Sequence, residues 1–207
     1  MTPHRLALLC LMLLAAVATP GLAHAQGGFV IRVGPGHNDF PLAIPDAKAE
    51  GDTSDQATTL VEVIRRDLDM TGYFKLIDPA ATIDQGGVEP GTFQLNDWRV
   101  LKASAVAKTR VTRVGDKLQA DVFLYDVNSG EKLRGMRYAG RPEDVRYLAH
   151  RIAGAILEAL TGKKGFFGAR IAAVGSARGN KEIYVMDIDG YGVRPVTRNG
   201  SINLSPA

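Results

Sequence analysis

From Ala103 to Gly140 the chain alternates apolar and polar residues with a period of two, interrupted only where it must turn. ASAVAKTRVTRV (103–114) and KLQADVFLYDVN (117–128) are separated by Gly115-Asp116, and Asn128-Ser129-Gly130 turns the chain again into EKLRGMRYAG. Such alternation puts successive side chains on opposite faces of a sheet. In the second segment Leu118, Ala120, Val122 and Leu124 take one face, Gln119 and Asp121 the other. The pattern is a three-stranded meander, and a sheet with one apolar face is stable only against another layer.

The segments around the meander carry a different period. In EGDTSDQATTLVEVIRRDLDMTGYF, Leu60, Ile64 and Leu68, with Val61 and Val63, make an apolar stripe at helical spacing. Asp52, Thr53 or Ser54 is placed to cap this helix, Asp55 sits in its first turn, and Gly72 ends it. RPEDVRYLAHRIAGAILEALTG (141–162) is the strongest helix. Pro142 suits its first turn, and Glu143 and Asp144 favour the positive end of its dipole. Val145, Leu148, Ile152, Ile156 and Leu160 form its stripe, and Gly162 closes it. NDWRVLKASA (96–105) reads as a short helix with Trp98 and Leu101 inward. FPLAIPDAK (40–48) is a strand kept short by Pro41 and Pro45, because proline donates nothing to a ladder. YFKLID (73–78) is a further strand, and DQGGVEPGT (84–92) a loop. Beyond GKKG (162–165) the helical pattern stops. ARIAAVGS, EIYVMDIDG and VRPVT are short strands joined by turns, an all-β unit from about residue 169.

The first 25 residues form a separate segment. MTPHR carries Arg5, LALLCLMLLAAVA is an apolar run of 13, and Ala23-His24-Ala25 offers small residues where a signal peptidase reads. A run of that length is short for a membrane anchor, which takes about 20 residues. The pattern fits a cleaved secretory signal, 1–25, with Gln26 as the mature N-terminus and no transmembrane segment after cleavage. Cys10 lies inside the run, so the mature chain is expected to have no cysteine and to rely on core packing. Removing Arg5 leaves 24 bases against 22 acids, a formal charge of +2. Acids dominate residues 34–97 (12 against 4 bases) and bases dominate 99–151 (12 against 6). We read that asymmetry as two solvated faces rather than a partner surface.

Motifs for chemistry do not assemble. A calcium loop starting at Asp187 needs oxygen ligands at its first, third and fifth positions, Gly at the sixth and Glu at the twelfth. Here Tyr191, Gly192 and Arg198 hold the last three, so DIDG reads as a turn between strands. TGKKG lacks the glycine and the hydroxyl residue of a phosphate loop. No GxSxG elbow is present. Two histidines remain after the leader, His37 in a loop and His150 on the polar side of a helix as a surface or edge residue. These residues predict no catalytic site, metal site or cofactor. KTRVTR (108–113) lacks the aromatic platform that nucleic-acid binding needs, so no nucleic-acid partner is expected.

In order along the chain, FPLAIP, VIRRDLDMTGYFKLID, DWRVLKASAVAKTRV, LQADVFLYDVNSGEKL and RYLAHRIAGAILEALTGKKGFFGARIAAV resemble the TolB family of the Tol–Pal envelope system. LTG followed by a Gly-Phe-Phe link and RIA is the most specific stretch. EIYVMDIDGYGVRPVTRN…SPA resembles that family's propeller repeat. The resemblance implies an α/β N-terminal domain, a mixed sheet with two main helices, at 26–162. The beginning of an all-β propeller follows at 163–207, with the chain stopping inside a repeat.

The resemblance also implies function: a non-enzymatic periplasmic adaptor that links TolA to the lipoprotein Pal. Pal is met by the propeller. TolA is met by the arm after the signal, Gln26, Gly27, Gly28, Phe29, Val30, Ile31, Arg32 and Val33. FVIRV suits an added strand physically, since an extended β-branched segment pairs with a partner's sheet edge or with its own domain. Gly27-Gly28 departs from the family pattern and loosens the start of the arm. The alternatives are an exported propeller hydrolase with its catalytic domain beyond residue 207, and a glycan-binding module.

Overall fold

The computed structural model describes residues 40–82, 86–178 and 180–203. The apolar leader, the arm from Gln26 to Val33, His37 and the closing Ser205-Pro206-Ala207 lie outside them. The elements run β1 (Phe40–Ala43), β2 (Lys48–Glu50), α1 (Ser54–Met70), β3 (Phe74–Leu76), α2 (Leu95–Val100), β4 (Ala105–Val114), β5 (Lys117–Asp126), β6 (Lys132–Gly140), α3 (Val145–Thr161), β7 (Arg170–Arg178), β8 (Asn180–Asp187) and β9 (Arg194–Pro195).

The meander forms, and it anchors a mixed sheet in the order β3-β1-β4-β5-β6. β4 and β5 pair antiparallel from Ala105↔Asp126 to Val114↔Lys117, around a turn in which Gly115 takes φ +62°. That left-handed backbone is open to glycine without a side-chain clash. On its other edge β4 accepts two parallel partners in succession, Leu42↔Ala105 in β1 and Lys48↔Arg110 in β2. Pro45 divides them, so one run of sequence becomes two short strands along the same edge. The Ile44 carbonyl at the break is taken by the Arg65 guanidinium of α1, whose Nε and Nη2 donate to it at 2.9 and 2.6 Å. Pro41 sits inside β1, where the shortness of the strand limits the ladder bonds it forgoes.

Helices α1 and α3 cover the face that carries Leu118, Ala120, Val122 and Leu124, all fully buried. Leu60, Ile64 and Leu68 of α1 and Leu148, Ile152, Ile156 and Leu160 of α3 fill the space between. α3 ends as its sequence dictates, with Gly162 at φ +72°. It begins less simply: Pro142–Asp144 form one 3₁₀ turn before the α-helix starts at Val145. Thr53 stands at the start of α1 but does not cap it. Its hydroxyl lies 3.1 Å from the carbonyls of Glu50 and Val111 instead, tying the helix to β2 and β4.

The opposite face of the sheet is also covered. Trp98 of α2 and Phe93 pack on Ala43, Val106 and Tyr125, with the Phe93 and Tyr125 rings 5.0 Å apart. Tyr125 donates its hydroxyl hydrogen to the Val88 carbonyl at 2.7 Å, and burial raises its pKa to about 12. The loop over this face therefore makes Asp121 a buried residue, although alternation alone places it on the polar side.

After Gly162 the described chain forms one further sheet, β7-β8-β9, antiparallel throughout. Asp187 to Gly190 make the turn expected from DIDG. The Gly190 N–H donates to the Asp187 carbonyl at 2.8 Å, and Gly190 takes φ +82°. The hairpin is wider than the dipeptide alone implies, because β9 starts only at Arg194.

If the helix layer supplies the core, truncating it must cost more than truncating its rim. Ile152→Ala is expected to lower the unfolding free energy by about 3 kcal/mol. Met70→Ala, at a side chain 44 % exposed on the rim, is expected to cost much less, under about 1 kcal/mol. Urea unfolding of the two variants followed by far-UV circular dichroism checks the difference.

Candidate functional site

Charged side chains are concentrated where α1, α3 and the β8–β9 loop meet. α3 contributes Arg146 and His150, four residues apart and so one turn above each other on the same face. α1 contributes Arg66 and Asp67. The loop contributes Asp189 and Tyr191. Asp67 and His150 form a pair at 2.7 Å, Oδ2 to Nδ1, with both side chains buried. Arg146 donates to Asp189 in a close ion pair, Arg66 approaches the same carboxylate at 3.6 Å, and the Arg146 guanidinium lies 3.8 Å from the centre of the Tyr191 ring. The Asp189 side chain is fully buried.

Burial works against both carboxylates, and the outcomes differ. Asp67 has its pKa raised by desolvation, against the opposing hydrogen bond and charge of His150. Desolvation also pushes Asp189 up, but the hydrogen bonds from Arg146 and from the Tyr191 N–H outweigh it, and its pKa is lowered. Two polar atoms in the pair, Asp67 Oδ1 and His150 Nε2, are buried with no hydrogen-bond partner among the described residues. Ligand-type atoms of His150, Asp187 and Asp189 fall within 4.8 Å of one another. The cations already set against these carboxylates are arginines: Arg146 and Arg66 at Asp189, and Arg170 at Asp187 at 3.6 Å.

His150 is therefore corrected from a surface residue to a buried one, 7 % exposed. The physical reason is that the apolar stripe of α3 is wider than one line of residues. Ala153 and Leu157, three and seven positions on, are buried alongside it. Asp67 likewise holds a core position, seven residues after Leu60 and three after Ile64. A polar residue at heptad spacing inside an apolar stripe is the signal in the sequence for both. Asp189 carries no such signal, since its partners lie about 40 and more than 120 residues away.

A second charge cluster lies on the far face of the sheet. Arg110 and Arg137 both pair with Asp121, Arg110 also pairs with Glu89, and Gln119 Nε2 donates to Asp121 at 3.2 Å. Burial raises the Asp121 carboxyl, and the hydrogen bonds from Arg137 and Arg110 more than reverse this, so its pKa is lowered. Lys108, beside it in β4, lies over the rings of Phe93 and Trp98 at 4.3 and 5.9 Å. This cluster holds the loop around Glu89 on the sheet.

The arm residues Gln26 to Val33 lie outside the described residues. The strand they lead into, β1, is an interior strand with partners on both edges, while β3 and β6 are the ends of the sheet. Among the described residues no helix is long and apolar enough to cross a membrane.

Residues 30–133 match the family model for the TolB amino-terminal domain. The chain is 34 % identical over 198 residues to the Tol-Pal system protein TolB of Geobacter sulfurreducens, covering 95 % of this chain and 46 % of that one. It is 38 % identical over 153 residues to the Tol-Pal system protein TolB of Syntrophotalea carbinolica, covering 72 % of this chain and 36 % of that one. Among solved structures, the crystal structure of TolB from Acinetobacter baumannii superposes with a TM-score of 0.63 at 23 % identity, over 78 % of this chain and 39 % of that one. The last likeness shows the shared fold. The chain spans about half the length of the curated relatives it matches.

Two measurements test the clusters. Asp67→Ala leaves a buried imidazole without its partner and is expected to cost about 3 kcal/mol of stability in urea unfolding. The lowered pKa of Asp121 implies stability that is present above its unfolded value and lost as pH falls through the folded one. The urea midpoint should therefore fall below about pH 4, and Asp121→Asn should flatten that acid limb.

Proposed function

The chain belongs to the TolB family, and from that premise we propose that it acts in the Tol–Pal system as a periplasmic adaptor between TolA and the lipoprotein Pal. The match of residues 30–133 to the TolB amino-terminal domain carries this reading, together with relatives aligned over nearly the whole chain. In this proposal residues 1–25 direct export and are removed. Residues 26–162 form the N-terminal domain, and 163–207 hold the linker and the start of the first propeller blade. The adaptor supports envelope integrity and cell division through binding, without catalysis.

The β7–β9 sheet favours the blade reading on physical grounds. Ile171, Val174, Val193, Val196 and Ile202 are all exposed on or beside three short strands. A sheet of this size leaves apolar side chains in water unless further layers cover it, and neighbouring blades of a propeller do so. Pal would meet that larger surface.

TolA would meet the arm from Gln26 to Val33. Phe29-Val30-Ile31-Arg32-Val33 has the β-branched composition of a segment that adds to a sheet edge. The arm is separated from β1 by only six residues, Gly34 to Asp39. A tether of six residues spans at most about 20 Å when fully extended.

Deleting residues 26–33 from the exported protein is expected to abolish binding to TolA in calorimetric titration, while the far-UV circular dichroism spectrum stays that of the parent. Unchanged affinity would remove the arm from the mechanism.

A further inference from the structure

We propose that the cleft between α3 and the linker 163–169, which leads from α3 to β7, is a binding site for an oxyanion, a carboxylate or phosphate group carried on a flat apolar body. The cleft has a volume of about 300 Å³. Helix α3 lines it with Tyr147, Arg151, Gly154 and Glu158, and the linker with Lys164 and Gly165. Two contacts fix the linker there. Phe167 is buried in the core that α1 and α3 share. Gly165 lies so close to α3 that a Cβ on it would stand 2.9 Å from the Gly154 Cα and 2.8 Å from the Phe167 ring. Both walls are thus in place before a ligand arrives, which removes part of the ordering cost of binding. Tyr147, 59 % exposed, supplies the apolar surface for the body that carries the anion.

The charges that line the cleft do not cancel within the chain. Glu158 is the one acid among them, and Arg134 of β6 approaches that carboxylate at 3.9 Å. Arg151 and Lys164 have no carboxylate partner among the described residues. The Arg151 guanidinium lies instead over two rings, 4.9 Å from the centre of Tyr138 and 5.9 Å from that of Tyr147. Those contacts orient the guanidinium and leave its N–H donors unspent, and such a planar fork matches a carboxylate or a phosphate.

The linker backbone adds donors. The N–H groups from Lys164 to Gly168 donate to no acceptor among the described residues, whereas those of Lys163 and Ala169 on either side of the run are bonded. Spare backbone N–H groups beside cations are the elements from which anion sites are built. Gly154 points the same way. Glycine inside a helix is less favourable than alanine, yet a Cβ at Gly154 would meet nothing within 4 Å. Packing within the chain therefore does not call for a glycine there. An occupant of the cleft would, because a methyl group at that position takes up part of the space it needs.

Amide chemical shifts of the full chain, followed by NMR during titration at neutral pH and constant ionic strength, test this. Benzoate and phenyl phosphate present the two oxyanions on the same ring, and benzyl alcohol is the neutral control. The amides of residues 164–168 should shift and saturate with at least one of the anions and stay in place with the alcohol. Saturation by benzoate alone assigns the site to a carboxylate, and by phenyl phosphate alone to a phosphate. Arg151→Gln and Lys164→Gln should each weaken binding about three- to fivefold, the range that goes with one exposed ion pair. Gly154→Ala should fold as the parent does and bind more weakly. Shifts that fail to saturate, or that benzyl alcohol reproduces, overturn the site. So does the parent's affinity in a protein carrying both Arg151→Gln and Lys164→Gln, or in Gly154→Ala.

Discussion

Pairing along β4 is the constraint on which the rest of this molecule depends. Ten consecutive pairs with β5 fix its register, and its other edge holds β1 and then β2. A slip of one residue would turn Ala105, Ala107 and Val111 away from α1 and α3, and Val106 away from Trp98. Both hydrophobic clusters would be lost together, because β4 contributes to each. The strand also sets the position of α1, through the contact between the Thr53 hydroxyl and the Val111 carbonyl. From α1 the geometry passes to α3, and from α3 to the β8–β9 loop. The location of Asp189 is thus a remote consequence of a strand register.

Elements with a strong local pattern are legible from the order of residues alone. The period of two in Leu118, Ala120, Val122 and Leu124 yields the meander, and the 3.6 period in 145–160 yields α3 with its glycine stop. The family resemblance draws on the same stretches, and the TolB amino-terminal domain match, residues 30–133, covers the first two strands of the meander but not α3. Proline reasoning at Pro45 implies a short strand, but not that two short strands share one edge of β4. That outcome depends on Arg65, which satisfies the carbonyl left open at the break. Local sequence holds the cause of the break but not its remedy.

The residues whose surroundings escape a reading of the sequence share one property: their environment is made by distant segments. His150 and Asp67 are 83 positions apart, and each looks like a polar residue on a helix until the other is present. Asp121 alternates as a solvent-facing residue should. Its burial comes from the loop around Glu89 and from Arg137 on the neighbouring strand. The turn assigned to Asp189 from DIDG explains its backbone and nothing of its side chain. Alternation and helical spacing report which way a side chain points. They do not report what arrives on that side from elsewhere in the chain.

The two charge clusters illustrate two uses of a buried carboxylate. Asp121 is met by two arginines and an amide, and the sum of those bonds lowers its pKa below the ordinary carboxylate value. It is a fixed anion, and its effect is to hold the loop around Glu89 on the sheet. Asp67 is met by one imidazole, keeps an oxygen without a partner among the described residues and has its pKa raised. A well-packed apolar pair would serve stability at that position as well or better. The junction between α3 and the β8–β9 loop also carries Arg146 and Tyr191, one from each side, with the guanidinium over the ring. An arginine over a tyrosine ring at a partly exposed site contributes only about 0.5–1 kcal/mol. The Asp189 carboxylate, fully buried and held as an anion by Arg146, is therefore a stronger tie between the loop and the helices than the ring.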